Sequence, residues 1–143
     1  QTKDVSNRFI AMPSARTRIL GVQLYRYKVA GFLQWGFNFY NACRSVYPID
    51  PYVTTSSDCA FPSGDPFLVY PGKDDVYPSI RNRVFYEGLQ DIRACKLLET
   101  YIGREAVCDL IGSITFNDYP RSNKALLSLR ETINRAIAKN LVL

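Results

Sequence analysis

The chain has 143 residues, 47% of them hydrophobic and 13% aromatic, enough for one packed core and far from a disordered composition. Its net charge of +5 comes from Lys and Arg scattered among acids. A nucleic-acid binder shows a clustered basic stripe, so this balance reads as an ordinary basic surface.

Residues 1–12 lack periodicity and read as an extended lead-in. Met12-Pro13-Ser14 is a stop followed by a helix start, with Ser14 as the expected cap. From Ala15 to about Val29 the pattern is helical. Ala15, Ile19, Val22 and Arg26 follow one stripe, and Leu20, Leu24 and Tyr27 the adjoining one. After the tight link Ala30-Gly31, the uncharged run Phe32 to Trp35 reads as a strand buried on both faces, as in a parallel sheet. Alternation puts Leu33 and Trp35 on one face and Phe32 and Gln34 on the other, with Gly36 closing the strand.

Phe37 to Pro66 is a long stretch rich in Pro, Ser, Thr, Asp and aromatics. A loop of that length in a compact domain is functional or disordered, and its aromatics argue for order. Ser63-Gly64-Asp65-Pro66 is a turn, and Phe67-Leu68-Val69-Tyr70 reads as a second short strand closed by Pro71-Gly72. Lys73-Asp74-Asp75 is a solvated polar tip.

The longest helix is expected over Ser79 to Tyr101. Its apolar face holds Val84, Phe85, Gly88, Leu89, Ile92, Cys95, Leu98 and Ile102, and Arg83 and Glu87 are spaced to pair. Gly103 stops it. A short helix follows from Arg104 to Ile111, then a link from Ser113 to Arg121. Ser122 caps a final amphipathic helix reaching about Asn140, with Leu126, Leu129, Ile133, Ala136 and Ile137 inward. The fold class expected is therefore α/β, mostly helical with about two short strands. Two strands do not make a stable parallel sheet. Either the chain is a helical cluster with a small ribbon, or it holds the last units of a larger α/β barrel.

The chain lacks His, and its four cysteines (Cys43, Cys59, Cys95, Cys108) contain no CxxC pair. Zinc sites built on Cys and His find little support, and Ser-His-Asp or Cys-His catalysis cannot be assembled. No cofactor or metal is expected. Cys95 and Cys108 read as small core residues, while Cys43 and Cys59 sit in the loop, where pairing is open and reduced thiols are the default. No run reaches the ~18 apolar residues of a membrane span and no basic-then-apolar leader opens the chain. The start QTKDVSN, without Met, suggests a processed or truncated piece. A cytoplasmic location is the expectation, with neither membrane nor nucleic acid as partner.

Three spaced motifs carry a resemblance: Gly31, Phe32, Leu33 and Trp35; Gly64, Asp65, Leu68, Val69, Tyr70, Pro71 and Gly72; and Ser79, Arg81, Glu87, Gly88 and Asp91. Together they resemble the C-terminal end of bacterial glycoside hydrolase family 123-like proteins, which are related to β-N-acetylgalactosaminidases. The likeness runs from about Met12 to Glu99 and leaves out the last helix. It implies a (β/α)8-type barrel whose last βα units are residues 1–112, with residues 113–143 as a C-terminal amphipathic helix. Phe32–Trp35 would then be the last barrel strand.

Ligand-facing residues of such barrels sit at the C-terminal ends of strands. The resemblance therefore implies that Trp35, Asn38, Tyr40 and Gln34 face a sugar. The plainer alternatives are a buried core aromatic for Trp35, a turn-stabilising side chain for Asn38 and loop packing for Tyr40. The implied reaction is substrate-assisted retaining hydrolysis, using an adjacent Asp-Glu pair supplied by an earlier strand. No Asp-Glu or Glu-Glu dipeptide occurs here, so no catalytic residue is assigned and the chain alone is expected to be inactive. Asp65 reads as a backbone-bonding turn residue or a sugar contact. Arg81, Glu87 and Asp91 read as helix-surface ion pairs. The expected function is the C-terminal portion of a hydrolase of N-acetylhexosamine-containing glycans. Its expected partners are a glycan, the N-terminal barrel segment of the same protein and, through open strand edges, a second copy. A non-catalytic carbohydrate-binding or structural domain is the alternative.

Overall fold

The computed structural model describes residues 4–141. The first three residues of the lead-in, and Val142 and Leu143 after the last helix, lie outside the described residues. The architecture is mostly helical: α1 (Ser14–Arg18), α2 (Leu20–Arg26), β1 (Val69–Pro71), β2 (Val76–Pro78), α3 (Ile80–Ile102), α4 (Arg104–Ile111) and α5 (Asn123–Leu141). A 3-10 turn at Cys43–Ser45 lies in the long loop. No helix of the described residues is long and apolar enough to cross a membrane.

α3 is the central member, packed against α2, α1, α5 and α4. The core is built on the stripes the sequence displays. Ala15, Ile19 and Val22 meet Cys95 and Leu98 of α3, with Val107 and Ile111 of α4 and Leu126 and Ile133 of α5 closing over them. α1 and α2 are nearly one helix: Ile19 between them keeps helical angles and both Ile19 and Gln23 donate four residues back. The helix ends at Arg26, three residues before the expected Val29. Its last carbonyls, those of Tyr25 and Arg26, accept from Arg104 Nη2 at 2.7 and 3.0 Å, and the Arg104 guanidinium stacks over the Tyr25 ring at 4.6 Å. A cation on terminal carbonyls satisfies both their hydrogen bonds and the helix dipole.

Ser79 and Ser122 cap α3 and α5, accepting from the amides of Asn82 and Ala125 at 3.2 Å each. Ser14, by contrast, is already inside α1 and makes no cap. Gly103 and Gly112, with φ of 80° and 79°, end α3 and α4, a conformation costly for a residue with a Cβ. Gly21 and Gly88 put α2 and α3 in backbone contact, since a Cβ on Gly21 would stand 1.8 Å from the Gly88 carbonyl oxygen. The glycine that costs α2 helix propensity is thus required by the close approach.

The strands differ from expectation in place and pairing. β1 and β2 form an antiparallel hairpin, with Val69 opposite Pro78 and Tyr70 opposite Tyr77, turning through the predicted polar tip. β1 begins two residues after Phe67. Phe32–Trp35 is not a strand. Residues 29–34 run without regular structure, and neither the amides nor the carbonyls of residues 30–36 make a backbone–backbone hydrogen bond. The burial expected on both faces is missing too: Leu33 is 82% exposed and Phe32 is exposed. The physical reason is that a strand is defined by backbone hydrogen bonds to a neighbour, and no described residue makes one with this run.

Candidate functional site

The long loop is ordered by its own chemistry. Its first part, Phe37–Phe39, lies antiparallel to Pro66–Val69. The Phe39 amide donates to Pro66 O at 3.0 Å, the Leu68 amide to Phe37 O at 2.8 Å, and Asn38 forms an isolated bridge with Phe67. Farther out, Gly64 N donates to Thr55 O at 2.7 Å, and the Tyr47 hydroxyl bonds Asp58. Phe67 is fully buried and anchors the loop to the body, touching the rings of Tyr40 and Tyr70.

Trp35 is 47% exposed. Its ring lies 4.9 Å from the Phe61 ring and 5.8 Å from the Phe39 ring, both tilted against it. The sole Trp is therefore fixed at its edges and open on part of its face, rather than sunk in the core. Asp65 lies in the adjoining turn, its backbone packed against Gly36. Burial pushes its carboxyl above the usual carboxylate range, opposed by Arg8 and Arg81.

The other three candidates sit differently. Asn38 is exposed at the bridge to Phe67. Tyr40 is half-buried and its hydroxyl donates to Val69 O at 2.8 Å, so it ties the loop to β1; burial raises its phenol above the ordinary range. Gln34 points the other way. It lines a cleft of ≈ 660 Å³ between α2 and α3, with Leu24, Phe32, Phe85 and Leu89 among the apolar walls. Its Oε1 is covered and has no partner among the described residues. The structure therefore gathers Trp35, Asn38 and Tyr40 along one loop segment and leaves Gln34 on the cleft.

Two residues read as surface ion-pair formers are buried. Arg81 is 7% exposed; its Nη1 donates to Gly64 O at 2.5 Å and to Arg8 O at 3.0 Å, clamping the lead-in and the Ser63–Pro66 turn onto α3. Asp91 is 4% exposed and accepts from Arg18 Nε at 2.8 Å, Arg18 Nη2 at 3.0 Å and Arg130 Nη1 at 2.7 Å. Arg83 and Glu87 form no ion pair among the described residues. The missed signal for Asp91 was its place on the apolar side of α3, three residues after Gly88 and four before Cys95.

All four cysteines are free, Cys43 and Cys59 exposed and Cys95 buried. No group of three or more metal-ligating side chains occurs among the described residues.

No curated protein matches the chain. The family model for the glycoside hydrolase 123 catalytic domain matches residues 1–98. That span covers α1, α2, the aromatic loop, the hairpin and nearly all of α3, and it ends before α4 and α5. On that match, which takes in more than half of the sequence, the chain belongs to glycoside hydrolase family 123.

Proposed function

We propose that the chain is the C-terminal portion of a glycoside hydrolase acting on N-acetylhexosamine-containing glycans, with Trp35, Asn38 and Tyr40 contributing to the substrate wall along the loop and Gln34 binding substrate from the adjoining cleft. The observation that carries this reading is Trp35, a half-open indole edged by Phe39 and Phe61 within the family's catalytic domain. An aromatic face stacks on the apolar face of a sugar ring, and amide side chains bond its hydroxyls. The catalytic carboxylates come from an upstream part of the protein, since this chain has no adjacent Asp-Glu pair. The chain alone is then inactive. The unpaired run 30–36 fits a closing barrel strand whose neighbours come from that upstream part, or from a second copy when it is lacking.

The test joins the chain to the sequence its gene encodes upstream and follows emission of the sole Trp. Millimolar N-acetylgalactosamine or N-acetylglucosamine should shift or quench it. Emission indifferent to both sugars would remove Trp35 from the wall. The second reading, a non-catalytic carbohydrate-binding domain, draws on the same missing Asp-Glu pair. It predicts the same emission response, with no hydrolysis of N-acetylhexosaminides by the joined polypeptide.

A further inference from the structure

Helix α2 ends in a two-bond cap. The Val29 amide donates to Leu24 O at 3.0 Å and the Lys28 amide to Tyr25 O at 3.1 Å. Such a cap puts one residue in the left-handed region, where glycine is the usual choice. Here that residue is Lys28, with φ of 53°. α3 and α4, by contrast, end on glycine at their positive-φ positions, Gly103 and Gly112. A lysine past a helix end ordinarily serves the terminal carbonyls, but Arg104 already takes those of Tyr25 and Arg26. Lys28 lines the cleft between α2 and α3.

At ≈ 660 Å³ the cleft falls within the range of small-molecule sites, about 300–1,000 Å³. Leu24, Leu89 and Ile92 make it aliphatic, and aliphatic walls offer a sugar's hydroxyls no partner. Phe32 and Phe85 also line it, ring edge to ring face at 5.9 Å. Phe85 and Lys96, both lining residues, are about 16 Å apart along α3, so the cleft is long. The one acid among the lining residues, Glu99, is answered by Arg104 at 3.6 Å. Neither Lys28 nor Lys96 is in an ion pair among the described residues. Two uncompensated ammonium groups therefore border a long aliphatic trough.

We propose that this cleft binds a linear alkyl carboxylate, its chain along Leu24, Leu89 and Ile92 and its head group on the ammonium groups of Lys28 and Lys96. The chain gives up apolar surface to the trough, and the carboxylate supplies the charge the lysines lack. The binding role accounts for a lysine at a backbone position that glycine fills at less cost, since a strained residue is kept where its side chain is used. The site stands apart from the sugar wall, because Trp35 is not among the residues lining the cleft.

The experiment is calorimetric titration of the chain with decanoate at neutral pH and low salt. Decanol, which has the chain without the charge, and acetate, which has the charge without the chain, are the controls. The expected result is saturable binding of one decanoate, with both controls weaker by at least about tenfold, the weight of one charge-assisted hydrogen bond. Lys28→Gly should lose affinity on the order of tenfold while melting at or above the wild-type temperature, because glycine relieves the cap. Should that variant melt lower, Lys96→Gln, a change on the exposed side of a helix, decides by the same loss. No saturable binding overturns the proposal, as does decanol binding as tightly as decanoate, or full affinity in a folded Lys28→Gly, Lys96→Gln double variant. Binding should persist in the polypeptide joined to its upstream sequence; its loss there would show that the cleft seats an upstream segment and overturn the proposal. A Trp35 emission indifferent to N-acetylhexosamines, with decanoate binding intact, would sink the sugar wall alone.

Discussion

Asp91 makes the sharpest stability prediction. One carboxylate on α3 takes three guanidinium N–H bonds, two from Arg18 on α1 and one from Arg130 on α5. Replacing it by Asn removes the negative charge, keeps the shape and aims an NH2 at a guanidinium. Removing one partner of a buried ion pair costs about 3–5 kcal/mol, because the other charge stays desolvated. The side chains of Arg18 and Arg130 keep 15% and 27% of their exposure, so both can swing partly into water. The low end applies, about 3 kcal/mol. For a chain of this size each kcal/mol moves Tm by about 4 °C, so Asp91→Asn should melt about 12 °C below wild type. Thermal and urea unfolding, followed by far-UV circular dichroism, read this directly. Arg130→Met leaves the Arg18 fork in place and should cost less than half as much. An Asp91→Asn melting point within about 3 °C of wild type would refute the argument. So would erasure of most of the difference by 1 M salt, the mark of an exposed pair.

Gly21→Ala drives a methyl group into the Gly88 carbonyl and should cost at least about 3 kcal/mol in urea unfolding, beyond ordinary overpacking, because the obstacle is backbone. Gly31→Ala, with open space around it, is the near-neutral control. Ellman's reagent at neutral pH should titrate Cys43 and Cys59 quickly, and Cys95 only on unfolding. Burial pushes the Cys95 thiol up to about 12. With the folded value above the unfolded one, its contribution is whole below about pH 8.5 and drains as pH climbs toward the folded value. Cys95→Ala should lower stability overall yet flatten that alkaline slope. The open run 30–36 should make the isolated chain self-associate with rising concentration in light scattering, and Leu33→Lys should reduce it. A chain that stays monomeric at high concentration would show that the run needs no partner.

The helices were legible because their signals are local. Ser79 and Gly103 bracket α3, and the stripe through Ile19, Val22, Cys95 and Leu98 turned out to be the core. What the sequence misassigned depends on partners. Phe32–Trp35 has a strand's composition, but pairing requires a hydrogen-bonding neighbour and no described residue bonds its backbone. Arg81 and Asp91 look like surface charges on a helix. Their burial depends on Gly64, Arg8, Arg18 and Arg130, between 17 and 73 positions away in the chain. Within the candidate site, the aromatic cluster could be named from its residues. The separation of Gln34 from Trp35 followed only from strand alternation, and the structure keeps them apart even though no strand forms.

The contact of Gly21 with Gly88 also bears on how the molecule can move. Side chains between helices act as a cushion that lets them slide and tilt; here two peptide groups meet with nothing between them. One flank of this weld carries Arg81 and, through it, the turn whose Asp65 backbone abuts Gly36, next in the chain to Trp35. The other flank carries the walls of the cleft that receives Gln34. Loop and cleft are therefore mounted on a single stiff frame. A tilt of one helix would have to carry both along, so any accommodation to a ligand falls to the loop between Phe37 and Pro66.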